Sequence, residues 1–162
     1  MKATASFGLI VTLAASLTAC SNLPRMSDEE RLALFRDHAG ESIASFSLLG
    51  ANTGFSGWTA LGREALAVWP RTNEGYLLDL NGICEDLNFA TGISLSNLGN
   101  RVSAGFDYVY VRGVNNPTAL PCLINTIRPL DTRGLEAAQK ELRQAEVIER
   151  EQQAGGNAAT PG

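Results

Sequence analysis

Three cysteines, one histidine and a small pool of carboxylates are the side chains in this 162-residue chain that could do chemistry. His38 would act as a general base only if a nucleophile and an orienting acid converged on it from elsewhere in the fold. Its place in the last turn of a helix offers a simpler role, an imidazole beside the carbonyl ends. No serine stands in a Gly-x-Ser-x-Gly elbow. Carboxylates can work in pairs without histidine, as in glycan-cleaving enzymes, and the pool for that is Asp79, Glu85, Asp86, Asp107 and Asp131. Glu85 and Asp86 are neighbours, and on a helical turn they diverge. Asp107 sits in an apolar strand between Phe106 and Tyr108, where burial demands a partner. Arg128 or Arg101 is available for an ion pair, and a turn bond would serve as well.

Ligand chemistry has one further candidate, the stretch "FDYVYVR". Strand alternation sends Phe106, Tyr108, Tyr110 and Arg112 to one side and Asp107, Val109 and Val111 to the other. An exposed aromatic row beside an arginine suits stacking on sugar rings or flat ligands, whereas a buried row would be core with tyrosine hydroxyls at its rim. Both readings stand at this level, as they do for Trp58 and Trp69. No metal is expected, because Cys84, Cys122 and His38 do not supply four zinc ligands at a usual spacing. The absence of a Cys-x-x-Cys pair argues against redox work. "GANTGFSG" has glycines but no lysine and no following helix, so no phosphate loop or dinucleotide site, and no cofactor, is expected.

The start of the chain explains one cysteine. "MKATASFGLIVTLAASLTACSN" has a lysine, an apolar run and small residues before Cys20, the pattern of a secretory signal. The run is too short for a membrane span, which needs about 20 apolar residues. "LTAC" resembles the lipobox of bacterial lipoproteins. That resemblance implies cleavage after residue 19, a diacylglycerol on the Cys20 sulfur and acylation, palmitate included, of the freed amine. Two or more chains make a stable anchor where one does not. Ser21 follows in place of the aspartate that in this class retains proteins on the inner membrane, so the expected address is the periplasmic face of the outer membrane.

Assigning Cys20 to lipid leaves Cys84 and Cys122, and an oxidising periplasm makes a disulfide between them the default. Removal of residues 1–19 deletes only Lys2 from the charge count, taking the net charge from -4 to about -5. Nucleic acid is therefore not an expected partner, and the membrane is reached through the lipid rather than by charge.

The elements that must position these residues are legible in outline. After a tether over 20–26, Ser27 and Glu30 form a capping box that starts a short helix, with Leu32, Phe35 and Ala39 on one stripe and Gly40 to end it. "ESIASFSLL" then alternates as a strand, "GWTALGREALAVWP" reads as two strands hinged at "LGRE", and "NEGYLLDL" is another before the turn at Asn81 and Gly82. A helical turn is expected near Cys84 to Ala90, followed by a strand at "ISLS". "RVSAGFDYVYVRG" reads as one β stretch, with a bulge at Gly105. "CLINTIRPLD" is a last strand ended by Pro129, and a helix follows with a thin stripe of Leu135, Ala138, Leu142 and Ala145. The expected organisation is one domain over 27–150 that includes this helix, then a disordered tail over 151–162. The fold class is α+β, a mainly β domain in which a small antiparallel barrel or sandwich lies between an N-terminal and a C-terminal helix.

From Arg31 to Leu135 the chain resembles a group of short proteobacterial lipoproteins known only as a domain of unknown function. "RLALFRDHAG", "GWTALGREALAVW", "GYLLDLNGICEDLNFATGI", "RVSAGFDYVYV" and "PCLINTIRPLD" carry the likeness. It implies a single exported lipoprotein domain and no activity to transfer. The expected function is accordingly a non-catalytic envelope lipoprotein that binds a protein, a glycan or a small ligand, with Phe106, Tyr108, Tyr110 and Arg112 as the binding candidates. The alternatives are a carboxylate-dependent envelope enzyme and a structural or assembly lipoprotein.

Overall fold

The computed structural model of the chain describes residues 26–48, 55–113 and 121–157, with side chains as far as Gln152. The signal segment 1–19, Cys20, the rest of the tether up to residue 25, and residues 158–162 of the tail lie outside the described residues. The architecture is mainly antiparallel β with two helices, an α+β fold.

Helix α1 spans Asp28–Asp37. The capping box closes as the sequence requires: the Ser27 backbone N–H donates to the Glu30 carboxylate at 2.7 Å, and the Glu30 N–H donates to the Ser27 hydroxyl at 3.2 Å. Those bonds from Ser27, the backbone one foremost, hold the Glu30 carboxyl below its ordinary range. The strands are β1 (Ser45–Ser47), β2 (Gly57–Ala60), β3 (Ala65–Arg71), β4 (Glu74–Leu80), β5 (Gly92–Leu95), β6 (Arg101–Ser103), β7 (Tyr108–Arg112) and β8 (Cys122–Leu130). A 3-10 turn at Leu87–Phe89 precedes β5, and helix α2 spans Thr132–Asn157. Six strands form a half-barrel in the order β2-β3-β4-β8-β7-β5, and β1 and β6 form a small second sheet.

Period-two patterning gives the large sheet two apolar faces. Leu66, Val68, Leu78, Leu80, Val109, Val111, Ile124 and Ile127 line the inner face, closed over by Phe46 of β1, Val102 of β6 and Leu87 of the 3-10 turn. Ala65, Ala67, Leu77 and Leu130 line the outer face, on which Phe35 of α1 and Leu135 of α2 pack. The alanines of β3 let the helix approach, and Phe35 meets Trp69 edge to face with ring centroids 6.2 Å apart. Arg36 reaches from α1 to Asp79 of β4 at 3.0 Å, and the Thr126 hydroxyl donates to the same carboxylate at 2.8 Å. Cys84 and Cys122 form a disulfide with Cα atoms 5.6 Å apart. It closes a loop with a separation of 38 residues, which in the chain-entropy account stabilises by about 4 kcal/mol.

Several expectations need correction. The stretch 101–113 is two strands in two different sheets: Gly105, at φ 76°, turns the chain between β6 and β7, a conformation glycine accepts without steric cost. Pro129 does not end β8, which runs on to Leu130 opposite Gly75. Its carbonyl accepts from Gly40 N–H at 2.8 Å, so residue 129 directs its backbone towards the segment after α1. The missing proline N–H thus faces an irregular neighbour and spares the β4 ladder. The chain leaves α1 at His38, ahead of Gly40, and Ala39 bridges Leu130 outside the helix. Helix α2 continues past residue 150 to Asn157, carried through 149–154 by residues of good helix propensity.

One cluster makes stability depend on pH. Tyr76 stacks on Phe46 at 4.4 Å and donates its hydroxyl to Glu74 at 2.6 Å, while Arg71 pairs with the same carboxylate. The Tyr76 bond, with Arg71, holds Glu74 below its usual range. Burial first, and the bond to Glu74 second, push the Tyr76 phenol up to about 12. Between about pH 10, where an unfolded tyrosine ionises, and that folded value, the unfolded chain releases a proton the folded one keeps. Stability therefore falls as pH rises through this window. Urea midpoints measured from pH 9 upwards should decline more steeply for the wild type than for Tyr76→Phe, and parallel slopes would refute the assignment.

Candidate functional site

The aromatic row lies on the outer face of the half-barrel. Val109 and Val111 point into the core, and Tyr108, Tyr110 and Arg112 point out. The cause is how far the roof extends: α1 packs over β3, β4 and the end of β8, and no residue of β7 or β5 takes part in that outer cluster. The face that is core under α1 is therefore surface at β7. Tyr108 is 37% and Tyr110 42% exposed. Their neighbours across the strand pair are small, Ser94 opposite Tyr110 and Gly92 opposite Arg112, and a Cβ at Gly92 would meet nothing within 4 Å.

The row is extended at one end by two turn residues, Phe106 at 80% and Leu98 at 87% exposure. Asp107 holds those turns together. It accepts from the Ser96 hydroxyl at 2.6 Å and from the Ser103 N–H at 2.8 Å, while Ser96 Oγ itself accepts from the Tyr108 N–H at 2.9 Å. The turn bond is thus the one Asp107 makes, and neither Arg101 nor Arg128 is its partner. Arg128 stands opposite Leu77 on the β4 ladder, with its Nε buried and without a hydrogen-bond partner. Leu98 and Ser96 were not singled out from the sequence. The signal was present in "SNLGN", where a large apolar residue stands inside turn chemistry.

Of the remaining chemistry-bearing residues, His38 and Asp131 line one cleft, with the Asp131 N–H donating to the His38 carbonyl at 2.8 Å, and the rest are on other elements. His38 Nδ1 lies 2.9 Å from the Leu34 carbonyl, a bond at the helix end of the kind its position suggests. Asp79 is clamped by Arg36 and Thr126. Glu85 pairs loosely with Arg63 at 3.5 Å, and Asp86 takes a left-handed conformation ahead of the 3-10 turn. Asp131 accepts from the Gly134 N–H at 3.1 Å, capping α2. Asp79, Glu85 and Asp131 are thus each engaged in a local structural contact. Among the described residues no group of three or more histidine, cysteine, aspartate or glutamate side chains is placed to hold a metal ion. Trp58 and Trp69 are half-buried, packed on the inner and outer clusters respectively.

A family model described as a family of unknown function, DUF6491, matches residues 2–146. The chain belongs to that family. The matched span takes in the three cysteines and the whole β7 face, and it stops within α2. No curated protein and no solved structure matches the chain.

Removing the Asp107 carboxylate would leave a backbone N–H and a hydroxyl without their acceptor, a loss of about 2 kcal/mol. Asp107→Ala should lower the urea midpoint accordingly. An unfolding free energy within about 0.5 kcal/mol of wild type would show that these bonds do not hold the turns.

Proposed function

We propose that this chain is a lipoprotein anchored to the periplasmic face of the outer membrane through Cys20, and that its domain is a non-catalytic binding module. The observation that carries the binding reading is the uncovered strip of Tyr108, Tyr110 and Arg112 on the outer face of β7, with Phe106 exposed in the turn before it. Tyrosine and arginine are the residue types over-represented where proteins meet partners. They also present flat faces with hydrogen-bonding ends, which suits an envelope glycan or a protein surface. A rigid strand backed by buried Val109 and Val111 keeps the strip in place before any partner arrives, which limits the ordering cost of binding. The structural or assembly reading draws its support from α2, none of whose described residues after Leu135 is buried.

Photo-crosslinkers placed at Phe106 and Tyr110 in native envelopes should give discrete adducts that one at Glu141 does not. Arg112→Ala combined with Tyr108→Ala should remove them. Identical adduct patterns at all three positions would defeat the proposal. The anchor has its own test: an inhibitor of the lipoprotein signal peptidase should cause the uncleaved precursor to accumulate, and normal maturation would overturn the lipobox reading.

A further inference from the structure

Two large apolar side chains stand exposed beside the start of α1, and one of them, Phe89, lies at the other end of the β5–β7 ladder from Leu98 and Phe106. Ile83 is 54% and Phe89 80% exposed, one in the loop after β4 and the other in the 3-10 turn before β5. Both flank the start of α1. Asp28 lines a cleft of about 250 Å³ that includes Ile83 and a second, of about 540 Å³, that includes Phe89. Its carboxylate also accepts from Asn88 at 2.9 Å. Strand register sets the polarity. Gly92, just after Phe89, lies opposite Arg112 at the far end of β7, whereas Phe106 precedes Tyr108 at the near end.

We infer that the Ile83 and Phe89 end of the domain rests on the bilayer surface, with both side chains in the lipid interface, so that the Phe106 and Leu98 end of the β7 strip is held away from the membrane. This rests on the reading of Cys20 as the acylated residue. Six residues separate Cys20 from the N-cap Ser27, a reach on the order of 20 Å when fully extended. A domain of about 120 residues is roughly 35 Å across. Such a tether holds the start of α1 towards the bilayer and cannot bring the opposite end down to it. At the high effective concentration that a short tether imposes, contacts too weak to bind free protein still form. The rim around the two side chains carries Asp28, Glu29, Glu64 and Glu85 against Arg31 and Arg63. With that acidic excess the contact is apolar, and the lipid it fits is zwitterionic.

The test uses the full acylated chain reconstituted in phosphatidylcholine vesicles with brominated acyl chains, carrying an environment-sensitive probe on Ile83→Cys, Phe89→Cys or Phe106→Cys. These positions are all exposed, and the native disulfide stays oxidised. Probes at 83 and 89 should lose most of their emission to the bromines, while the probe at 106 keeps its own. If a chain that carries its acyl mass and floats with the vesicles keeps full emission at 83 and 89, the orientation is overturned and the anchor stands. Quenching at 106 equal to that at 89 also overturns it. A chain with no acyl mass overturns the anchor, and the inference falls with it.

Discussion

Strand β8 is paired on both sides, and most of the architecture follows from how its second side is shared. β4 runs along it from Leu130 to Ile124. On the other side β7 takes only the start, with Tyr108 opposite Leu123 and Val109 opposite Cys122. The chain leaving α1 takes the rest, through Gly40 N–H to the Pro129 carbonyl and Ile43 N–H to the Ile127 carbonyl, each at 2.8 Å. Buried backbone groups must find partners, so this division requires the exit of α1 to lie beside the end of β8. Helix α1 is thereby laid on the outer face over β3, β4 and the end of β8. The disulfide at Cys122 secures the start of the same strand.

The half-barrel inherits an asymmetry from that placement. Its inner face is closed over by Phe46, Val102 and Leu87. Among the described residues its outer face is closed only where α1 and the first turn of α2 reach, through Phe35 and Leu135. The outward side chains of β7 fall beyond that cover, and tyrosines occupy the positions. A tyrosine presents an apolar ring and a polar end, so it is tolerated half in water where leucine would leave a plain apolar patch. The Phe106 end of the strip and the Phe89 turn beside the start of α1 lie at opposite ends of one short ladder.

Much of the fold was legible from local signals. The capping box at Ser27 and Glu30, the break in period after Gly40, the hinge at "LGRE" and the 3-10 turn after Cys84 are all short-range features whose chemistry is complete within a few residues. The misreadings were of another kind. "RVSAGFDYVYVRG" keeps its alternation through Gly105, so nothing local says that its halves join different sheets. Pro129 ends a strand only if its N–H is needed, and that depends on which neighbour lies on that side. Asp107 announced that it needed a partner, but the serines that satisfy it lie on two turns whose proximity exists only in the folded chain.

By itself the sequence determined the period of each element, the helix start and which side chains of β7 share a face, and it made a bridge between Cys84 and Cys122 the expectation that the fold then meets. These depend on covalent geometry and on residue counts, and neither needs a fold. Only the tertiary structure decided whether that face is core or surface. Alternation separates Tyr108 and Tyr110 from Val109 and Val111, but burial of a face requires a second layer. Here the layer is a helix whose position is set by backbone hydrogen bonds to a strand far along the chain, Gly40 to Pro129 and Ile43 to Ile127.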